Sequence, residues 1–442
     1  MKTRRLIKAS VCLILFCSCI SCNSKKRKAD SASSESRTIY FNSEWVDKIV
    51  EAYQLMGDGP SIEAADKLFE ASELMPKKNW ENYLFCATIY ASNGSLDKAF
   101  MAFERAVKAG MRDIELLHSL RELDTLKPDK RWDSLVNKVK SNAEAYKKSI
   151  KSPQVLQVLE HMWSEDQNAL KRYEAQVESF GDKITQVQND SLFQSVIDQW
   201  VINGNRLDSI VERHGWPGNS MVGEDGSKLA WAIPQHHPNV FYKKKCLSLI
   251  KACVDKGDCN PNHYAELSDR IARDLWQKQT YGSSMSDKAP YPIIDAALVN
   301  QRRYHLGLAE PVEVYAIYHG VSYESPTISE AKDMDKIAYL EAQDNLKTFK
   351  KMLSTHQADS ARAYLTKAIK SYGHVSNDQL YEAAIALAMA NKDTFDRLTF
   401  KILKVLIWRE WERNDLIVSD QRIQGLRSSP QWENIEMLLN FQ

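Results

Sequence analysis

The chain has 442 residues, of which 59 are basic, 58 acidic and only 16 glycine. Near-neutral charge leaves no basic excess to neutralise phosphates, which excludes nucleic-acid binding by the folded part as a main role. Glycine at about half its usual share favours helices, which tolerate few glycines.

The first 21 residues carry a basic start (Lys2, Arg4, Arg5, Lys8) and an apolar run from Val11 to Ile20, then Ser21 before Cys22. The run is too short for a helix across a hydrocarbon core of roughly 30 Å, so it reads as an export signal. The arrangement resembles a bacterial lipoprotein signal, which implies cleavage before Cys22 and its acylation. Residues 22–42, with Lys25, Lys26, Arg27 and Lys28 and a Ser-rich stretch to Arg37, lack the apolar content to fold and read as a lipid-anchored tether. The mature charge then falls to about −3. The expected address is the bacterial cell envelope, with the lipid in the outer membrane facing the periplasm.

Residues 43–145 show a repeat. Ala64, Leu68, Ala71 and Pro76 set a pattern of small and large residues that Ala99, Phe103 and Ala106 restart 35 residues later. Small residues at such points let paired helices approach closely. With Tyr83, Ala87, Tyr90 and Gly94, the region resembles tetratricopeptide-type helical hairpins. About two repeats cannot enclose a core alone, so neighbouring helices must cap them.

Leu126, Lys127, Arg131, Trp132, Asp133 and Leu135 recur 300 residues later as Leu426, Arg427, Gln431, Trp432, Glu433 and Ile435. The pattern reads as a closing element after a helical hairpin. Ala361, Leu365 and Ala368 precede the second copy, followed by an alanine-rich stretch from Tyr381 to Ala390 and an apolar one from Phe400 to Trp408. Residues 325–442 are therefore expected to form a second, divergent helical array.

Between the arrays, residues 150–318 read as a middle domain. Helices are expected over Glu160–Glu178 and Asp190–Glu212, with loops where Pro, Gly, His and Trp crowd His214–Pro238. His236 would lie in the approach to a helix carrying Phe241, Tyr242, Cys246, Leu249, Ile250 and Cys253. Asn260 and Pro261 start another helix, with Tyr264, Leu267, Ile271 and Leu275 on one face and Ala265, Asp269, Ala272, Trp276 and Gln279 on a second. Asp269 would be enclosed and need a partner such as Arg270, Arg213 or a histidine.

Of the cysteines outside the signal and anchor, Cys86 stands apart and Cys246, Cys253 and Cys259 cluster. Cys253 and Cys259 either pair in an oxidising compartment, remain buried thiols, or join His263 in a metal cluster.

The ordered motifs Gly215-Trp216-Pro217-Gly218, Val222 to Gly226, Ala230-Trp231, Gln235-His236, Asp269-Arg270, Gln279 to Gly282, Arg302-Arg303 and Gly307-Leu308 resemble a bacterial domain family of unknown function, number 6624. Asp166-Gln167 resembles its early Asp-Gln. The resemblance implies a shared fold and site-like polar residues, with no established reaction. Two departures stand out: Pro238 occupies a position where the family often has aspartate, and Ser283 and Ser284 replace its Thr-Gln.

His236 with Asp269 reads either as a general base oriented by a carboxylate or as a hydrogen-bond network fixing loops. Trp216, Gln235, Arg270, Trp276, Gln279 and Tyr281 are the ligand-binding candidates. Trp216 and Trp231 would stack on a sugar or peptide ring or plug the core. His237 reads as a solvated neighbour. Arg302 and Arg303 bind an anion or pair with local acids.

Beyond the signal and its Cys22, no nucleotide-binding glycine loop, His-Glu zinc helix, CxxC pair or nucleophile elbow occurs, so no metal or cofactor is implied. An all-α, lipid-anchored scaffold is expected, whose repeat surfaces around Tyr83 and Phe103 meet a protein partner in the envelope. The competing reading is an envelope enzyme, a hydrolase on peptide or glycan, using His236 and Asp269; a small-molecule ligand fits either.

Overall fold

A computed structural model describes residues 40–41, 43–57, 59–390 and 397–440. The export signal, Cys22 and most of the tether lie outside these residues. The fold is all-α: among the described residues there is no strand, only isolated bridges joining Gln279 to Ile293 and Met285 to Pro290. No described helix is long and apolar enough to cross a membrane.

The first array runs α1 (Ser43–Met56), α2 (Ile62–Leu74), α3 (Trp80–Ser92), α4 (Leu96–Lys108), α5 (Ile114–Ser119), a 3-10 turn at Arg121–Leu126 and α6 (Lys130–Ser149). Ser61 and Asn79 cap α2 and α3 by accepting from the backbone N–H groups of Ala64 and Glu81. Ala64, Leu68, Ala71, Ala87, Ala99, Phe103 and Ala106 are all fully buried, as close helix approach requires. Tyr83 and Phe103 are therefore core residues, not the partner-facing surface expected of them. The Tyr90 hydroxyl reaches Asp66 at 2.7 Å, and Lys98 pairs with the same carboxylate. Tyr40 and Phe41, assigned above to the tether, lie against Tyr304, with ring centroids 5.7 and 6.1 Å away.

The middle region runs α7 (Pro153–Phe180), α8 (Gln186–His214), α9 (Asn219–His236), α10 (Val240–Asp255), α11 (Pro261–Asp274), α12 (Val299–Leu306) and α13 (Val312–Tyr318). The loops expected over His214–Pro238 are mostly helix. Gly215 and Pro217 form the turn into α9, Gly223 (φ 74°) interrupts it near its start, and Pro234 lies inside the helix near its end, where it removes one N–H donor. The expected second stripe of α11 also stops short. The helix ends at Asp274 and Trp276 takes a left-handed φ of 54°, so Trp276 and Gln279 belong to the loop beyond it.

The second array runs α14 (Ile328–Ser354), α15 (Ala358–Ile369), α16 (Asn377–Ala390), α17 (Arg397–Trp408), α18 (Asp415–Ser419), a 3-10 turn at Gln421–Ser428 and α19 (Trp432–Leu439). It repeats the first array in register. Phe100, Phe103, Ala106, Leu117, Leu123, Leu126, Trp132 and Leu135 are buried, and so are Phe400, Leu403, Leu406, Ile417, Ile423, Leu426, Trp432 and Ile435. The backbone agrees: Met111 N–H donates to Ala106 and Trp411 N–H to Leu406, while Asp129 N–H donates to Leu126 and Ser429 N–H to Leu426.

The match includes a helix-ending left-handed residue, Gly110 (φ 94°) in one copy and Glu410 (φ 56°) in the other. Left-handed backbone costs a residue with a Cβ about 1–2 kcal/mol. Gly110→Ala should therefore lower stability by about 1–2 kcal/mol, whereas Glu410→Gly should leave it unchanged or raised by up to about 1 kcal/mol. Paired denaturant titrations read the difference in sign.

The middle region is joined to both arrays. Val314 of α13 is fully buried in the first array's core, and Tyr318 packs on Tyr53 at 5.7 Å. On the other side Trp276 enters the second array's core, while Arg409 donates from Nε to the Leu275 carbonyl at 2.8 Å.

Candidate functional site

Val155, Leu159, Met162, Asp166 and Ala169 form the buried stripe of α7, spaced four and three apart. Asp166 interrupts this stripe with a carboxylate, and a buried carboxylate needs donors. Gln167 supplies one through Nε2 at 2.9 Å, and His236 faces it through Nδ1 at 3.1 Å. The expected partnership of His236 with Asp269 is thus replaced by one with Asp166, so that the early Asp-Gln and the later Gln-His motif pieces meet. His236 ends α9, and α10 begins at Val240 just beyond it.

Two half-buried tryptophans wall the imidazole. Trp163 of α7 stacks on it at 6.1 Å and Trp200 of α8 lies tilted at 5.5 Å. Gln235 is buried, its Nε2 without a partner among the described residues. An Nδ1–H donated to Asp166 fixes the tautomer and leaves Nε2 as the basic nitrogen, the arrangement needed to take a proton from a bound group. The sequence offered Asp166 only as part of the early Asp-Gln motif and not as the partner of His236, although a carboxylate within an apolar helical stripe is a readable signal.

His237 is buried, not solvated. Burial pushes it down to about 4, its Nδ1 accepts from the Asn239 N–H, and its ring lies 4.0 Å from that of Tyr242.

Asp269 does different work. It is fully buried and accepts from the N–H groups of Thr280 (2.7 Å), Tyr281 (3.0 Å) and Ser283 (2.8 Å) and from the Ser283 hydroxyl (2.7 Å). Its partners are three backbone N–H groups and one hydroxyl of the following loop, not Arg270, Arg213 or a histidine. Burial pushes its carboxyl above the ordinary range and these donations oppose the shift. Gln279 binds the same loop, donating to the carbonyls of Ser284 and Tyr291 and accepting from the Ser284 N–H.

Arg302 and Arg303 complete the clamp, and neither forms the expected pair with an acid. Arg302 donates to the Thr280 carbonyl, and Arg303, wholly buried, donates to the carbonyls of Tyr281 and Glu310. Gln279 and Tyr281 are in this way residues of one folded loop, which Asp269 anchors from α11. Trp276 is part of the second array's core, and Trp216 packs into the cores around α7–α9 and α10–α11. Arg270 has no hydrogen-bond partner among the described residues.

Cys253 and Cys259 form a disulfide with Cα atoms 5.3 Å apart, closing the turn between α10 and α11, while Cys86 and Cys246 are buried free thiols. Bonded sulfurs present no thiolate, which removes the alternative of a metal cluster with His263. Among the described residues no three His, Cys, Asp or Glu side chains are grouped to hold a metal ion.

No curated protein and no solved structure matches the chain. Residues 167–324, which carry Gln167, Gln235-His236 and the clamped loop, match a family of unknown function, DUF6624.

Proposed function

We propose that the protein is a lipid-anchored scaffold of the bacterial cell envelope, in which two helical arrays hold the middle domain and one of them meets a protein partner. The observation that carries this reading is the first half of α14. Met334, Ile337 and Leu340, three residues apart, are each more than half exposed. The 3-10 turn Ala296–Leu298 packs against α14 and carries a further exposed apolar side chain, Leu298. Adjacent exposed apolar side chains of this size mark surfaces that another protein covers.

The test has two parts. Cys22→Ala should abolish labelling by palmitate and release the chain from membrane fractions. Ile337→Glu with Leu340→Glu should abolish a cross-linked partner that the parent chain retains in envelope fractions, with the melting temperature unchanged. Recovery of the same partner by the double variant would remove α14 from the interface.

A second reading is favoured by the pairing of His236 with Asp166: an envelope hydrolase on peptide or glycan with His236 as general base. In an assay that detects turnover, His236→Ala should reduce it by about 10²–10⁴-fold. Asp166→Asn should lower it through loss of the oriented tautomer. Unchanged turnover in both variants defeats this assignment.

A further inference from the structure

A separate polar cluster lies where the first array meets the middle region. His263, Glu266 and Arg270 share one face of α11 at i, i+3 and i+7. Opposite them α9 presents Lys228 and Trp231, α13 presents Tyr315, and His319 caps the end of α13. The Trp231 ring stacks on His263 at 5.0 Å with planes 12° apart, and the Tyr315 hydroxyl bonds the Glu266 carboxylate at 3.0 Å. His319 packs on Tyr315 at 4.6 Å, and the Arg303 guanidinium lies over the same ring at 5.0 Å.

Exposure grades from rim to floor. Lys228 and His319 are exposed, Glu266 and Arg270 half-buried, and His263 and Tyr315 buried. On the floor the buried His263 Nδ1 has no partner, and above it the half-buried Arg270 makes no hydrogen bond among the described residues. Asp274 and Glu266 act on this half-buried guanidinium only through space, so its donors stay available to a ligand, and carboxylates fit that fork best among biological groups.

We propose that this seam binds a small molecule carrying a carboxylate, with Arg270 as its anchor and Glu266 as the neighbouring group that exchanges a proton with it. Burial pushes Glu266 up to about 7, against the lowering effects of the Tyr315 bond and of Lys228, Arg303 and Arg270. His263 is pushed down to about 4 by burial, with Lys228 acting in the same direction, and so stays neutral near pH 7. Burial raises Tyr315 far above that range and lowers His319. Glu266 is thus the cluster's switch near neutrality: protonated, it can donate to a carboxylate, and ionised, it repels one. The site is distinct from the His236 and Asp166 pair, which lies at the far end of α9.

The experiment is a titration of the full chain with sodium acetate and with N-acetylglycine at constant ionic strength, read by tryptophan fluorescence through Trp231 and by melting temperature. Saturable binding is expected, weakening several-fold as pH rises from about 6 to about 8 because Glu266 ionises. Arg270→Gln should abolish it and Arg270→Lys should weaken it about 10-fold or more, since lysine cannot form the bidentate pair. Glu266→Gln should keep binding and flatten its pH dependence, which preserves the test if the Arg270 variants fold poorly. The proposal is overturned if neither carboxylate saturates, if Arg270→Gln binds like the parent, or if inorganic phosphate alone binds.

Discussion

Asp269→Ala is expected to destabilise the protein by about 3–5 kcal/mol, because it strands several buried donors at once. Three N–H groups and one hydroxyl of the loop from Thr280 to Ser283 terminate on this one carboxylate, which is fully shielded from water. Asp269→Asn keeps one acceptor but turns the other into a donor aimed at N–H groups, and should cost about 2–4 kcal/mol. His236→Ala gives the contrast. His236 is partly exposed and its loss leaves Asp166 still bonded to Gln167, so the expected cost is about 1–2 kcal/mol. Thermal and denaturant unfolding of the three variants beside the parent checks the order. If Asp269→Ala proves as mild as His236→Ala, the loop does not depend on the carboxylate and Asp269 becomes a site residue again.

The sequence made the arrays legible because their packing is local and repetitive. Small residues at Ala64, Ala71, Ala99 and Ala106 exist to let helices touch, and Trp132 and Trp432 close equivalent hairpins, so spacing alone exposed them. The turn between Cys253 and Cys259 was legible as one of three alternatives, since six residues of separation permit a disulfide but do not require it. The site was less legible. Asp166 meets His236 across 70 residues, a pairing that no local periodicity reveals. Asp269 is satisfied by three backbone N–H groups, which carry no side-chain signature, and by the Ser283 hydroxyl, so it has no charged partner to be read from the sequence. The helical stripe drawn through Trp276 broke because tertiary contacts override periodicity there. Arg409 binds the carbonyls of Leu275 and Trp276, and the Gly373 N–H binds that of Trp276, holding the chain in a left-handed turn.

The segment Val222 to Gly226 reads differently once its contacts are known, and it leads to the second large effect. Gly223 has φ 74° and ψ 173°, a region that side chains make costly, and a Cβ there would come within 2.8 Å of the Tyr146 ring carbon Cζ. Tyr146 belongs to α6 of the first array, and its hydroxyl accepts from the Asp225 N–H at 2.9 Å. Arg112 lies 3.9 Å over the Tyr146 ring and pairs with Asp225 at 3.0 Å and Glu224 at 3.6 Å. The motif is therefore a latch between array and middle region, and its glycine is the point where the Tyr146 ring must come close to the α9 backbone. Gly223→Ala combines backbone strain with overpacking and should cost about 3–5 kcal/mol, together with faster proteolysis between α6 and α7. Gly257 is the control: its φ is 71°, but a Cβ would meet nothing within 4 Å, so Gly257→Ala should cost only about 1 kcal/mol from strain. Equal losses in the two variants would mean that Tyr146 yields without cost and that the latch is loose. A loss several-fold larger at Gly223 would tie the first array's orientation to this one close approach.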